Sequence, residues 1–408
     1  MDLFSDAPPG PRKVGILPSQ EILELIRNGK LRSRIEIGEN QIQPASVDLR
    51  LGNIAYEVEA SFLPSRSSTV SAKIRELRVG EIDLSTPATL AKDAVFIVPV
   101  VESLALPPDI SGKANPKSTT GRLDIFVRLM TDGGVDFEEV PRGYSGDLYV
   151  EIVPRTFPII VKAGTRLNQL RFWRGHPERD DSSLRKLAKR EQLVYEDESS
   201  GSIPDQGLRI VSYENGDSFP RITIARGLHL SVDLQGPEKG AVVAYKAKHE
   251  CPPIDLGNVG GYEPQDYWDP IVRPPRDRVV LKPGDFYLLA SRQRVSIPPT
   301  YAAEMEQYDP SLGEFTVHYA GFFDPGFGYG VEGEIKGTRA VLEVRAHEVP
   351  ILLEDSQTVG RLLYHKMAGA PAKLYGQSIG SSYQQQGLAL SKQFRSQPKR
   401  SSIAVAHS

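Results

Sequence analysis

Hydrophobic and polar residues alternate along most of this chain in short runs. The segments "AVFIVPVVESLAL" (94–106), "DIFVRLM" (124–130), "GDLYVEIV" (146–153) and "RAVLEVRAHEVPILL" (339–353) are rich in β-branched residues, and turn residues close each one. A period of two over such lengths predicts strands half-buried in a sheet. The 36 Gly and 32 Pro are spread as punctuation rather than gathered into a linker, as expected of many short strands. One segment near the start has the period of a helix instead. Pro18-Ser19 can cap it, Glu21 suits its first turn, Ile22, Leu23, Leu25 and Ile26 form an apolar stripe, and Gly29 can end it. The stretch "DDSSLRKLAKREQLVYED" (180–197) is also helix-prone, and its polar flanks predict a surface connector. From Ser391 onward, "SKQFRSQPKRSSIAVAHS" is basic and polar and predicts a disordered tail.

The pattern occurs twice. "SVDL" stands at 46–49 and again 185 positions later at 231–234. "SLALPP" (103–108) and "RVSIPP" (294–299) close strands 191 positions apart. "LYVEIVPRTFPIIVKAGTRLNQLRF" (148–172) matches "AVLEVRAHEVPILLEDSQTVGRLLY" (340–364) at an offset of 192, which sets Glu151 on Glu343, Pro158 on Pro350 and Ile159 on Ile351. Landmarks in one order at nearly one spacing predict a tandem duplication of a β domain. The 408 residues suffice for two domains, because single cores stop growing at roughly 250–300 residues. The expected organisation is a first β domain over 1–178, a polar connector over 179–207, a second β domain over 208–390 and a tail over 391–408.

Composition narrows the chemistry. A net charge of −3 gives no bulk pull on nucleic acid, so anions must be bound by a local cluster of donors, and small anionic ligands are expected rather than DNA. No run approaches the roughly 20 apolar residues that span a bilayer. The start has no basic-then-apolar signal pattern, so a cytoplasmic location and no membrane partner are expected. The single cysteine, Cys251, fits a reducing compartment. It also excludes the H-x-E and P-C-x-x-C pattern of zinc nucleobase deaminases. The seven histidines show no paired ligand spacing.

One segment is chemically dense. In "KANPKSTTGRLDIF" (113–126), Lys113, Lys117 and Arg122 surround Ser118, Thr119, Thr120 and Gly121. Hydroxyls, small residues and cations in one loop suit phosphate oxygens, with arginine as a bidentate donor. The segment is not a Walker A loop, and a plain polar turn between strands has the same composition. Trp173 and Trp268 are expected in packing roles. "GFGYGVEGE" (326–334) is expected to be a cluster of turns, and "IVRPPRDR" (271–278) a solvated loop.

"QPASVDLRLG", "PKSTTGRLDI" and "GYSGDLYVEI" in that order resemble the dCTP deaminase and dUTPase superfamily, with the dCTP deaminase branch closer. The resemblance covers roughly 15–175 and 205–390. It implies distorted jelly-roll β domains with a few short helices, oligomers of two or three chains, and sites built between subunits. It implies zinc-independent deamination of dCTP to dUTP by a glutamate on a V-L-E strand, with Mg²⁺ arriving on the triphosphate. Control by dTTP is known in some relatives. Lys117, Ser118, Thr119 and Arg122 stand where the family's R-S-S-x-x-R-L-G pattern has its phosphate loop. In the second repeat "QYDPSLGEF" (307–315) puts Asp309 and Gly313 at those positions, which loses the function. The second repeat instead keeps "FDPGF" (323–327), with Asp324 where the sugar hydroxyl is bound and Phe327 as the aromatic, ahead of "AVLEV". Gln385 and Gln386 in "SSYQQQG" match the closing element. The implied site therefore combines Ser118 and Arg122 with Glu343 or Glu151 as the base. Lys117, Thr119, Asp324, Phe327, Val341, Leu342, Gln385 and Gln386 are the implied substrate contacts. A dUTP diphosphatase, a bifunctional enzyme forming dUMP, and a non-catalytic nucleotide-binding duplicate remain as alternatives.

Overall fold

The computed structural model describes residues 13–175, 180–197, 208–210, 222–238, 240–307, 315–318, 321–346, 348–376 and 387–396. The chain is mainly β, with five short α-helices among the described residues. None of these helices is long and apolar enough to cross a membrane. Most of the alternating runs are strands. Val95–Ala105 pairs antiparallel with Ser145–Pro154, which pairs on its other edge with Ile125–Thr131. Asn168–Arg174 pairs with Ile110–Pro116 and with Val47–Leu49, and Ile159–Val161 pairs with Ala88–Leu90.

The same order of pairings returns later in the chain. Phe286–Val295 pairs with Thr338–Ala346, which pairs with Phe315–His318. Thr358–Lys366 pairs with Tyr301–Gln307 and Leu228–Ser231, and Ile351–Glu354 pairs with Arg278–Leu281. Each set has its own apolar core, yet the first core draws Trp268, Phe286 and Leu288 from the second half. Phe157 meets Trp268 edge-on at 5.6 Å between ring centroids. Ile254–Asp255 of the second half adds a parallel strand to the open edge of Ile159–Val161. The two halves are thus fused through shared core and shared sheet.

Buried charges cross the same boundary. Lys113 Nζ lies 2.5 Å from Glu304 Oε1. The fully buried Arg171 guanidinium donates to Asp324 Oδ1 at 3.0 Å and to the carbonyls of Ala303 and Phe323 at 2.9 and 3.0 Å. Arg345 pairs with Asp124. Buried pairs of this kind cost several kcal/mol to break on one side only, because an uncompensated charge is left behind. They therefore fix the relative setting of the halves.

The N-terminal helix spans Ser19–Arg27, with Ile22 and Leu25 buried and Gly29 at φ +62° beyond its end. Ser19 makes no capping bond and is the first helical residue. Two other expectations are corrected. The stretch from 180 is no surface connector: Asp180 caps the helix Asp181–Arg190, whose Leu184 and Leu187 sit in the second core. Val194–Asp197 then joins that half's sheet through Val194 and Tyr195. The tail is not disordered from Ser391, because Phe394 is buried in the first core beside Tyr267 and Trp268. Residues 397–408 lie outside the described residues. Trp173 and Trp268 are both buried.

Candidate functional site

The dense segment ends a strand and becomes one helical turn. Ile110–Pro116 runs into Ser118–Gly121, with Lys117 at the N-cap and Arg122 at the C-cap. Thr120 anchors the turn by donating its hydroxyl to the Leu167 carbonyl at 2.9 Å. Ser118 and Thr119 face a cavity of about 1070 Å³ that also takes in Asp48, Lys117, Lys162, Arg166, Asp324, Lys373, Tyr375 and Lys392. Five cations against three carboxylates, Glu39 being the third, suit a polyanion. Asp48 is already engaged by Lys117 at 2.5 Å, and Asp324 by Arg171 at 3.0 Å.

Residues from distant parts of the sequence complete the cavity. Lys117, Ser118 and Thr119 of the first half share it with Asp324 of the second. Burial pushes the Asp324 carboxyl up, against the pull of Arg171. The segment from residue 387 lies over the turn. Ser391 Oγ donates to the Thr119 carbonyl at 2.9 Å, Arg122 Nη1 donates to the Ala389 carbonyl at 3.0 Å, and Gln393 Nε2 donates to the Leu256 carbonyl at 3.0 Å. Burial, and then Lys117 close by, lower the Lys392 ammonium from its ordinary value.

Glu343 stands behind the turn. It lies on Thr338–Ala346, buried, and its carboxyl rests on the bare Cα of Gly121: a Cβ there would run into both carboxyl oxygens. Glu343 Oε2 is buried with no hydrogen-bond partner. Burial pushes this carboxyl well above the usual range, Arg122 pulls it back, and Asp124 raises it further. A carboxyl raised in this way and touching a polar turn is suited to exchanging a proton there.

Glu151 is set differently. Its side chain is fully buried, and Oε1 is held by Arg128 at 2.5 and 3.0 Å. Arg128 in turn lies over the rings of Phe126 and Phe137. Glu151, Glu343 and Arg122 are all absent from the cavity lining. Phe327 and Leu342 do not line the cavity either. Leu342 is fully buried in the second core, and Phe327 is buried there between Phe323 and Tyr375. Val341 is half-buried and packs on the first core rather than on the cavity. Gln385, Gln386, Asp309 and Gly313 lie outside the described residues.

Asp48, Lys162, Arg166, Lys373, Tyr375 and Lys392 line the cavity and were missed from sequence. Asp48 is the aspartate of the first "SVDL", read there as a fold marker. Its counterpart Asp233 does have that role, caps the Gln235 and Gly236 N–H groups and pairs with Arg339. The signal for Lys373 and Tyr375 was the "KLYG" just ahead of "SSYQQQG".

Residues 13–176 match the family model described as the 2'-deoxycytidine 5'-triphosphate deaminase N-terminal domain, and residues 180–394 match that of its C-terminal domain. A dUMP-forming dCTP deaminase of Dictyoglomus thermophilum is 29% identical over 161 residues, 39% of this chain and 80% of that protein. A dCTP deaminase of Halorubrum lacusprofundi is 30% identical over 163 residues, 38% of this chain and 76% of that one. Both relatives are therefore about half as long as this chain. A solved structure of the 2'-deoxycytidine 5'-triphosphate deaminase of Agrobacterium tumefaciens is 45% identical, has a TM-score of 0.78, and is matched over 88% of this chain and 100% of its own.

Proposed function

Since the chain belongs to the 2'-deoxycytidine 5'-triphosphate deaminase family, we infer that it converts dCTP and water to dUTP and ammonia. The observation that carries the residue assignment is the contact of Glu343, from the second half, with Gly121 in the phosphate-loop turn of the first. Water adds to C4 of cytosine as Glu343 takes its proton. The C4=N3 π pair moves to N3, Glu343 passes the proton to N4, the C4–N4 bond breaks and ammonia leaves; the oxygen stays on C4 and its remaining proton passes to N3. One carboxyl suffices for both transfers when its pKa lies near working pH, as its burial and lack of a hydrogen-bonding partner favour. Ser118 and Arg122 orient the water and balance the charge that develops. Lys117, Arg166, Lys373 and Lys392 meet the triphosphate, and Asp324 accepts from the sugar hydroxyl.

Magnesium would enter on the nucleotide, held by phosphate oxygens and waters. Two of the cavity's carboxylates, Asp48 and Asp324, are already engaged by cations, which fits a metal carried by its substrate. We read the recurring strand pairings as a tandem duplication of one distorted jelly-roll domain. The halves then stand to each other as neighbouring subunits would, and one site is shared between them. Further assembly of chains is not needed to complete it.

The test is turnover of dCTP by the purified protein, with dUTP, dUMP and ammonia resolved. Ammonia with dUTP is the expected result. Ammonia with dUMP would place the chain with the dUMP-forming relatives, and binding without turnover would overturn the reading. Glu343 must be ionised to accept a proton from water. Its carboxyl is raised by burial, so kcat should rise along an acidic limb centred well above pH 4.5 and fail below it.

A further inference from the structure

Glu343 and Arg345 are two residues apart on one strand, and alternate residues of a strand share a face. A guanidinium so close to a buried carboxylate would ordinarily bind it. Here it does not. Arg345 Nη2 donates to Asp124 Oδ2 and to Thr156 Oγ1, the latter at 3.0 Å, while Nη1 donates to the Gly284 carbonyl at 2.5 Å. Thr156 Oγ1 donates to the same Asp124 oxygen at 2.5 Å.

Asp124 itself is unusual. It is fully buried and sits at φ +54°, in the left-handed region where glycine is the least costly residue. It stands at the end of "RLD", where the R-S-S-x-x-R-L-G pattern has glycine. An aspartate at this backbone setting, buried across the boundary between the halves, needs a partner that repays its burial, and Arg345 is that partner. The first half shows the opposite arrangement. There the equivalent glutamate, Glu151, is captured by Arg128; neither glutamate lines the cavity.

We propose that Asp124 is a positioning residue for the deamination: by occupying the Arg345 guanidinium it keeps that cation off Glu343 and leaves the Glu343 carboxyl unpaired against Gly121. The proposal rests on the reading of Glu343 as the base. The charges that act on Glu343 are Arg122 and Asp124, and Arg345 stands two residues along its strand. Its cross-strand neighbours by register are His318 and Leu288.

The test is the pH profile of kcat for dCTP in three variants of the full chain. Asp124→Asn keeps a residue tolerated at positive φ and removes the charge, so Arg345 is left uncompensated beside Glu343. The acidic limb should move down by about one pH unit and kcat should fall roughly tenfold, with KM changed less than threefold. Arg345→Met leaves Asp124 uncompensated and should move the limb up by about the same amount. The double variant removes both charges and should return the limb to within about 0.3 unit of the parent. A purely structural pair would give shifts of one sign or none, and that result overturns the proposal. Any two of the three variants decide the matter, so a single misfolded variant does not. Glu343→Gln is the control for the underlying reading. If it keeps full turnover, the assignment of the base fails. If it is inactive while the three profiles coincide, only the role of Asp124 fails.

Discussion

Glu151 and Glu343 hold equivalent places in equivalent strands, and their surroundings have diverged to opposite ends. Both leave Oε2 buried without a partner, but Glu151 has its other oxygen held by a guanidinium. Glu343→Gln should lower kcat by at least about 10³-fold, because the water then lacks its proton acceptor. Glu151→Gln should leave deamination largely intact but lower the melting temperature, since the half-buried Arg128 loses the charge opposite it at a cost of about 2 kcal/mol. Melting curves beside initial rates separate the two. Asp48→Asn should raise KM for dCTP several-fold with a smaller change in kcat, since Lys117 loses the carboxylate that holds it at the cavity edge. The meeting of Ser118 and Asp324 at one cavity was legible beforehand, because both stand in ordered motifs. The choice between the glutamates was not legible. On the proposed reading it is made by Arg128 and Arg345, whose partners lie 23 and 221 positions away in the chain, and no local pattern records such pairings.

The Ser118–Gly121 turn shows how little space an element can leave around a working group. Gly121→Ala should cost kcat about a hundredfold, because a Cβ there displaces the Glu343 carboxyl. KM should change far less, a split that steady-state kinetics reads directly. The C-terminal segment closes the other side of the turn through Ser391, and Phe394 anchors it in the first core. Phe394→Ala should cost about 3–5 kcal/mol of stability, seen as a lower denaturation midpoint, and should weaken dCTP binding as Lys392 loosens. The alternating strands were legible in sequence because their period reports burial. The helix Asp181–Arg190 and the closing segment were misjudged for one reason. Short polar stretches carrying a few apolar side chains look solvated until a distant core receives Leu184, Leu187 or Phe394.

Across the whole molecule, the recurring strand pairings preserve the frame while the chemical groups are distributed unevenly. Glu151 is held by Arg128, so titration calorimetry with dCTP and an inactive Glu343→Gln chain should give one bound nucleotide per chain. Two would show that the second set of motifs still works. The duplication was readable from "SVDL" and its offsets, but the depth of the fusion was not, because Trp268, Phe286 and the strand Ile254–Asp255 carry no sign of crossing over. That fusion has a consequence for how the enzyme behaves on dilution. A site assembled from separate subunits dissolves when they part. Here the two contributors are joined by one chain, and each sees the other at an effective concentration on the order of millimolar or above, whatever the amount of protein present. Specific activity should therefore stay constant down to nanomolar chain.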